Sequence, residues 1–263
     1  MRKNLALAKW RAGGQAIGGW LPLANTHSAE MMANAGFDWL CVDLQHGLLD
    51  YGDLRNILPA ISTTDTTPIV RVAGNDPKEI MKVLDAGAMG VIVPLVNNRA
   101  EAAAAVAACR YPPEGSRSFG PIRAALYGGR GYAAEANDEI ACIVMIETKE
   151  GIENIDQIVA TPGLGGVYVG PSGPRVRPGP AAARRHRRSD ARGHGGAHPG
   201  RLQAAQGARR DPYRRRRLYP PAPAGRFNFV TLGSDAGFMM QAAATDLAAV
   251  QGATKREGER TGY

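Results

Sequence analysis

The chain has 263 residues, of which 44% are hydrophobic and 21% are charged. This length is typical of one large α/β domain or two small ones, and it excludes disulfide-stabilised miniproteins and fibrous repeats. The apolar runs are too short for a membrane span, and the first ten residues lack the long apolar region of a signal peptide. Three cysteines without metal-ligand spacing indicate reduced thiols, so we expect a cytoplasmic protein without a membrane partner.

The net charge of +8 at pH 7 is, taken alone, typical of a nucleic-acid-binding protein. The positive charge is confined to residues 173–226, which hold 15 Arg, no Lys and two acidic residues. The rest of the chain holds 17 Lys and Arg against 22 Asp and Glu, a net charge of −5. The composition is therefore that of an ordinary acidic enzyme interrupted by residues 173–226, which we call the Arg-rich segment.

Outside the Arg-rich segment, short β-branched runs alternate with amphipathic stretches, a pattern typical of βα units around a parallel sheet. Most of the predicted strands are continuous apolar runs, which favours burial on both faces. Pro77 lies in the first turn of a predicted helix, where its missing N–H costs nothing. The predicted strands cover residues 15–21, 37–43, 68–72, 90–95, 140–146, 166–169 and 227–232, and the predicted helices cover residues 28–35, 51–61, 76–86, 99–109, 149–160 and 236–250.

Seven strands and one gap large enough for a further βαβ unit predict a (β/α)8 TIM barrel. We expect a single barrel domain over residues 1–263, with the seventh strand inside the Arg-rich segment. That segment also replaces the sixth loop and helix and the seventh helix, so we expect this part of the barrel to be irregular. A doubly wound sheet is the alternative, but the first strand is not followed by the Gly-x-Gly-x-x-Gly pattern of dinucleotide folds.

Three polar residues follow separate predicted strands: His46, Arg71 and Glu147. Catalytic groups of barrels lie at the carboxyl ends of the strands, so these side chains are expected to share one mouth. Each also has an ordinary structural interpretation. His46 would be a satisfied structural residue, Arg71 would pair with Asp43 or Asp85, and Glu147 would cap the following helix.

Together the three residues suit a metal-assisted enolate reaction. A carboxylate holds a divalent cation that polarises the carbonyl of a 2-oxo acid. A guanidinium stabilises the developing enolate or the substrate carboxylate, and a histidine moves the proton. A Schiff-base mechanism is disfavoured, because the six lysines lie outside the apolar strand interiors.

Several motifs, taken in order, resemble one enzyme family. The similarity is to the metal-dependent 4-hydroxy-2-oxo acid aldolases, which include 4-hydroxy-2-oxoheptanedioate aldolase and 2-dehydro-3-deoxyglucarate aldolase. It extends over most of the chain outside the Arg-rich segment. The motifs are Gly18-Gly19-Trp20, Asp43-Leu44-Gln45-His46-Gly47, Val70-Arg71, Arg110-Tyr111-Pro112-Pro113-Glu114-Gly115, Ile146-Glu147-Thr148 and Gly170-Pro171-Ser172.

The resemblance implies a pyruvate/phosphoenolpyruvate-type barrel, usually a homohexamer. Such enzymes reversibly cleave 2-oxo acids into pyruvate and an aldehyde with Mg²⁺, Mn²⁺ or Co²⁺. By position, His46 corresponds to the acid/base histidine, Arg71 to the arginine that contacts pyruvate, and Glu147 to a metal ligand. Asp85 corresponds to an aspartate that supports the histidine.

The same resemblance implies that Trp20 and Ser172 contribute to the pyruvate site. Two positions differ from some members of the family: Gln45 replaces Glu, and Met145 replaces Gln. A larger departure follows Ser172, where the family has its second metal carboxylate and this chain has Gly173. The Arg-rich segment begins at that residue, and the resemblance resumes near residue 227.

Three other functions stay open as alternatives. The missing carboxylate would make the chain an impaired pseudoenzyme, and a citrate-lyase-like carbon–carbon lyase is a further possibility, although no CoA-binding feature is present. The Arg-rich segment would serve as a nucleic-acid-binding arm, but it has no Lys and few aromatic residues to stack on bases, so nucleic acid is disfavoured as a partner. Three histidines in the segment lack regular metal-ligand spacing: His186, His194 and His198.

We interpret the Arg-rich segment as a stretch translated out of frame, because Gly, Pro, Arg and Ala are encoded by G/C-rich codons. Codons for residues 173–181 can be chosen so that omitting the first nucleotide encodes Asp-Leu-Ala-Ser-Ala-Leu-Gly-Leu. That frame restores the aspartate after Ser172.

The hypothesis predicts two compensating nucleotide changes in the coding DNA, one near codon 173 and one near codon 226. Resequencing of the gene and its transcript tests it. An unambiguous single frame through both positions would exclude the shift and make the Arg-rich segment a genuine part of the protein.

Overall fold

The computed structural model describes residues 1–169, 203–206 and 228–260, and its parallel strands form a closed barrel in the order β1 to β8. Each strand pairs in parallel with the next, and β8 pairs with β1. The predicted (β/α)8 barrel is therefore confirmed. The strands are β1 Ala16–Leu21, β2 Trp39–Asp43, β3 Thr67–Arg71, β4 Gly90–Val93, β5 Ala141–Ile146, β6 Gly166–Val169, β7 Gln203–Gln206 and β8 Phe229–Ser234.

The seventh strand lies inside the Arg-rich segment, where the strand count placed it. Its backbone pairs with β6 at Val167↔Gln203 and with β8 at Ala204↔Phe229. The rest of the Arg-rich segment, including the expected irregular loop and helices, lies outside the described residues.

The helices begin at residues that cap them. The side chains of Asn25, Asp50, Asp76, Asn98 and Thr148 each accept a hydrogen bond from a backbone N–H in the first turn of the helix that follows. The helices are α1 Leu5–Arg11, α2 Thr26–Asn34, α3 Tyr51–Ile61, α4 Pro77–Asp85, α5 Arg99–Cys109, α6 Ile122–Gly128, α7 Tyr132–Glu139, α8 Lys149–Glu153, α9 Ile155–Val159 and α10 Asp235–Arg260.

The helix predictions were largely confirmed, with three differences. The predicted helix at 149–160 is divided at Asn154 into α8 and α9. The last helix extends ten residues beyond the predicted end at Val250. Three helices were not predicted: α1, α6 and α7. In the part of the chain that the structure describes, no helix is both long enough and apolar enough to cross a membrane.

The interior of the barrel is filled by aromatic rings. Trp39 is fully buried and stacks on Phe229, with ring centroids 3.9 Å apart. Trp10 of α1 packs edge-on against Phe229 at 4.9 Å, so the N-terminal helix closes the end of the barrel opposite the carboxyl ends of the strands. A separate apolar layer lies between the strands and the surrounding helices, and it includes Leu54, Ile80 and Val144.

Gly18 allows Trp39 to lie against β1. A Cβ atom at position 18 would come within 2.0 Å of the Trp39 ring, and the stacked Phe229 leaves the ring no space to move. The stability of the barrel therefore depends on the absence of a side chain at this position.

We expect Gly18→Ala to lower the free energy of unfolding by about 3 kcal/mol, at the upper end of overpacking costs. Urea unfolding measures the loss. Gly74→Ala is the matched control, because a Cβ at position 74 meets no atom within 4 Å. Equal stability of both variants would show that the interior rearranges around the added methyl group.

Candidate active site

A buried ion pair lies at the carboxyl ends of β2 and β3. The register of the two strands places Asp43 beside Arg71. Arg71 Nε donates to Asp43 Oδ1 at 2.8 Å, and Nη2 donates to Oδ2 at 2.5 Å. Burial is the largest single influence on Arg71 and opposes its charge. The hydrogen bonds and the charge attraction, chiefly from Asp43, together outweigh burial and raise the guanidinium pKa above its ordinary value. Arg71 therefore stays charged at the mouth of the barrel.

Asp43 also holds the turn that carries His46. Its Oδ1 accepts the backbone N–H groups of Gln45 and His46, each at 3.1 Å. Gly47 completes the turn, since a Cβ there would come within 2.2 Å of the Asp43 carbonyl oxygen. The His46 side chain is exposed. One carboxylate thus orients the guanidinium and fixes the backbone of the histidine.

Trp20 and Met145 form the floor beneath Arg71. The Arg71 guanidinium lies 4.5 Å from the centroid of the Trp20 ring, a cation–π distance. Arg71 Nη1 contacts Met145 Sδ at 3.8 Å. The Trp20 indole N–H is buried and has no hydrogen-bond partner among the described residues. Such an orphaned donor at the mouth is suited to bind an anionic oxygen.

Glu147 follows β5 on the same rim. It is two residues after Met145 and directly follows the strand. The alternation of side chains along β5 therefore predicts that Glu147 points to the same side as Met145, the interior. Glu147 Oε1 accepts the backbone N–H of Leu95 at 2.9 Å, and Oε2 accepts no hydrogen bond from the described residues. The carboxylate therefore keeps one oxygen available for a cation.

Asp85 does not join this group within one chain. It is the last residue of α4, which returns along the outside of the barrel, so it lies at the end opposite the strands' carboxyl ends. Its Oδ1 accepts from Nη2 of the fully buried Arg117 at 2.7 Å, and that nitrogen also donates to the Tyr132 hydroxyl at 3.0 Å. Within the chain Asp85 neutralises Arg117, and its expected support of His46 stays a prediction.

The donor set at the mouth suits a hard divalent cation in part. Glu147 offers a carboxylate oxygen, and the Gln45 side-chain oxygen is buried without a hydrogen-bond partner among the described residues. The described residues contain no cluster of three or more His, Cys, Asp or Glu side chains that would hold a metal. Ser172 and Gly173 lie outside the described residues, and Gly173 supplies no carboxylate. Glu147 fits as a ligand, while the expected second carboxylate is missing.

The sequence identified Arg71, His46 and Glu147 as neighbours at one mouth, but it considered Asp43 only as a partner that would make Arg71 structural. The structure shows that Arg71 makes this pairing while it lies at the carboxyl end of β3, at the mouth of the barrel. The available signal was the register of β2 and β3, because Asp43 and Arg71 each end an apolar strand.

Residues 16–173 match the family model described as HpcH/HpaI aldolase/citrate lyase. A hydroxypyruvate/pyruvate aldolase of Rhizorhabdus wittichii is 45% identical over 163 residues, covering 62% of this chain and 65% of the relative. A 4-hydroxy-2-oxo-heptane-1,7-dioate aldolase of Salmonella arizonae is 42% identical over 173 residues, covering 65% of this chain and 66% of the relative. The chain thus aligns with slightly less than two thirds of these relatives.

A solved structure of an HpcH/HpaI aldolase/citrate lyase family protein from Burkholderia cenocepacia has a TM-score of 0.77 and 28% identity, covering 95% of this chain and 100% of that one. The fold similarity therefore extends further along the chain than the family model, which ends at residue 173. That end coincides with the start of the Arg-rich segment.

We expect Asp43→Asn to lower the free energy of unfolding by about 3 kcal/mol, because it leaves the Arg71 charge buried without its counter-ion. Urea unfolding monitored by tryptophan fluorescence measures the loss. Glu153→Gln is the control, since it removes an exposed ion pair with Lys149 at 3.8 Å and should change little. Similar losses in the two variants would contradict a structural role of the Asp43–Arg71 pair.

Proposed function

The chain belongs to the HpcH/HpaI aldolase/citrate lyase family, and from this premise we propose that it is a carbon–carbon lyase that reversibly cleaves a 4-hydroxy-2-oxo acid into pyruvate and an aldehyde. The observation that carries the proposal is the Arg71 guanidinium, held by Asp43 at the mouth of the barrel above Trp20. Two of the relatives described above are named hydroxypyruvate/pyruvate aldolase and 4-hydroxy-2-oxo-heptane-1,7-dioate aldolase, and these names support a substrate of this kind.

Arg71 recognises the developing enolate. Cleavage of the C3–C4 bond leaves its electron pair on the pyruvate fragment, with negative charge on the enolate oxygen. Nη1 of Arg71 is not used by Asp43 and donates to that oxygen. The unpaired Trp20 indole N–H donates to the substrate carboxylate, and Ser172 completes the pyruvate site by resemblance.

His46 moves the proton. In the cleavage direction its imidazole accepts the proton of the 4-hydroxyl group as the aldehyde carbonyl forms, and the same proton is returned to C3 of the enolate to give pyruvate. The turn bonds from Asp43 fix the backbone of His46 while its side chain stays exposed to the substrate. Support from Asp85 would have to come from outside the chain that carries the histidine.

Glu147 is the proposed ligand of a divalent cation, Mg²⁺, Mn²⁺ or Co²⁺. When bound, such a cation polarises the 2-oxo carbonyl as a Lewis acid. Glu147 Oε2, which accepts no hydrogen bond from the described residues, is the oxygen suited to this ligation. With glycine at position 173, we propose that the chain as printed binds the cation weakly and turns over slowly, which is the basis of the pseudoenzyme alternative.

The remaining proposals concern assembly and location. We propose a homo-oligomer, a hexamer by resemblance, and the apolar side chains that α10 exposes support a contact with another copy: Met239, Met240, Leu247 and Val250. A cytoplasmic location is supported by the three cysteines, which are all free and buried. The aldehyde product stays unspecified.

We expect the chain as printed to release pyruvate slowly from 4-hydroxy-2-oxoheptanedioate in the presence of Mn²⁺, and Gly173→Asp to raise the rate at least tenfold by adding a carboxylate ligand. In that background, Arg71→Ala and His46→Ala should each lower the rate by about 10² or more. A lactate-dehydrogenase-coupled assay measures pyruvate release.

Glu153→Gln in the same background is the control, because its carboxylate belongs to an exposed helical ion pair. Retention of full activity by Arg71→Ala or His46→Ala would contradict the assigned roles. A full rate in the chain as printed would show that one carboxylate is sufficient.

A further inference from the structure

Leu95, in the loop after β4, has a backbone conformation that leucine rarely adopts. Its φ is 56°, and among the described residues it is the only non-glycine residue with a positive φ. The left-handed region costs an L-residue about 1–2 kcal/mol. The Leu95 side chain is 55% exposed, so side-chain burial does not hold the conformation. Strain of this kind persists where surrounding bonds fix the backbone.

The conformation directs the Leu95 N–H to Glu147. The amide donates to Glu147 Oε1 at 2.9 Å. The next amide, that of Val96, donates to the Met145 carbonyl at 3.3 Å. The loop after β4 therefore stays paired with the end of β5, two residues before Glu147. A carboxylate fixed through one oxygen has a restricted direction for the other.

Asn97 holds Leu95 from the other side, and its remaining polar groups anchor Asn97 itself. Its Nδ2 donates to the Leu95 carbonyl at 2.9 Å, and its Oδ1 accepts from the hydroxyl of Thr148. Its backbone N–H donates to Glu101 Oε2 at 2.7 Å, and its carbonyl accepts from Asn154 at 2.9 Å. Asn97 therefore joins the loop after β4 to the residue adjacent to Glu147.

We propose that Leu95 and Asn97 are positioning residues for the metal carboxylate: the left-handed Leu95 amide fixes Oε1 of Glu147, and Asn97 fixes Leu95, so that Oε2 is oriented toward the cation before it binds. The inference rests on the proposed role of Glu147 as a metal ligand. A pre-oriented ligand loses less conformational freedom on binding, and the loss of such supporting bonds lowers metal affinity about 10- to 100-fold.

The test compares two substitutions at position 95 that differ in their tolerance of positive φ. Leu95→Asn retains the left-handed conformation, which asparagine adopts readily, while Leu95→Val is β-branched and disfavours it. We expect Leu95→Val to weaken Mn²⁺ binding about tenfold and Leu95→Asn to leave it within about twofold of the original chain. The EPR signal of free Mn²⁺ measures weak binding directly, without an activity assay.

Asn97→Ala should weaken Mn²⁺ binding to a similar extent as Leu95→Val. The double variant should be little weaker than either single variant, because both changes release the same oxygen of Glu147. Asn34→Ala is the matched control, since Asn34 is an exposed asparagine on α2 whose side chain donates to the Glu30 carbonyl of the same helix. Circular dichroism at the assay temperature confirms that each variant is folded.

Each outcome is decisive. If Glu147→Gln leaves Mn²⁺ binding unchanged, or the original chain binds no Mn²⁺, the metal role of Glu147 fails and the inference fails with it. If Glu147→Gln abolishes binding while Leu95→Val and Asn97→Ala retain it, the positioning inference alone is overturned. Equal losses in Leu95→Asn and Leu95→Val would also overturn it, because the leucine side chain and not the backbone would then be responsible.

Discussion

The barrel depends on contacts between β1 and β8, which lie on opposite sides of the Arg-rich segment. Hydrogen bonds from β8 complete β1, and the ring of Phe229 stacks on Trp39, which itself occupies the space left by Gly18. A parallel barrel loses its free edges only when its last strand pairs with its first. The residues of β8, which follow the Arg-rich segment, therefore complete the surroundings of the residues of β1 near the N-terminus. This closure joins residues more than 200 positions apart in the sequence. Whatever the sequence of the intervening chain, it must allow β8 to reach β1.

At the mouth of the barrel one carboxylate, that of Asp43, organises the chemistry. It neutralises Arg71 and binds the turn of His46, so the two residues to which we assign anion binding and proton transfer are held by the same carboxylate oxygen. The price of burying these charges is offset by bidentate geometry, the arrangement in which arginine and carboxylate interact most strongly. The guanidinium also lies over Trp20, which shields it from water and limits its motion.

The strands could be predicted because strands buried on both faces are apolar throughout, and polar residues mark where they end. The missed helices α1, α6 and α7 carry no comparable pattern. α1 is stabilised by contacts distant in sequence, such as the Asn4 amide that donates to the carbonyls of Met89 and Glu139. The resemblance predicted a role for Asp85 but not where Asp85 lies in the barrel. A sequence motif does not show that Asp85 is at the end of α4 opposite the carboxyl ends of the strands. The left-handed backbone conformation of Leu95 could not be predicted from the sequence either, because it depends on the bonds that Leu95 makes to Asn97 and Glu147 in the folded chain.

The balance of charge at the mouth supports the proposal that position 173 affects cation binding more than it affects the fold. The Asp43–Arg71 pair contributes no net charge, and Glu147 is the carboxylate to which we assign the divalent cation. A second carboxylate at position 173 would strengthen the attraction of the mouth for such a cation, and glycine adds no charge there. Coulomb interactions in a partly buried site are stronger than in water. The strands, by contrast, close through backbone hydrogen bonds that do not require a carboxylate at that position. Under the proposed metal role of Glu147, a change at residue 173 therefore separates the two properties: the barrel still closes, while the affinity of its mouth for a cation is reduced.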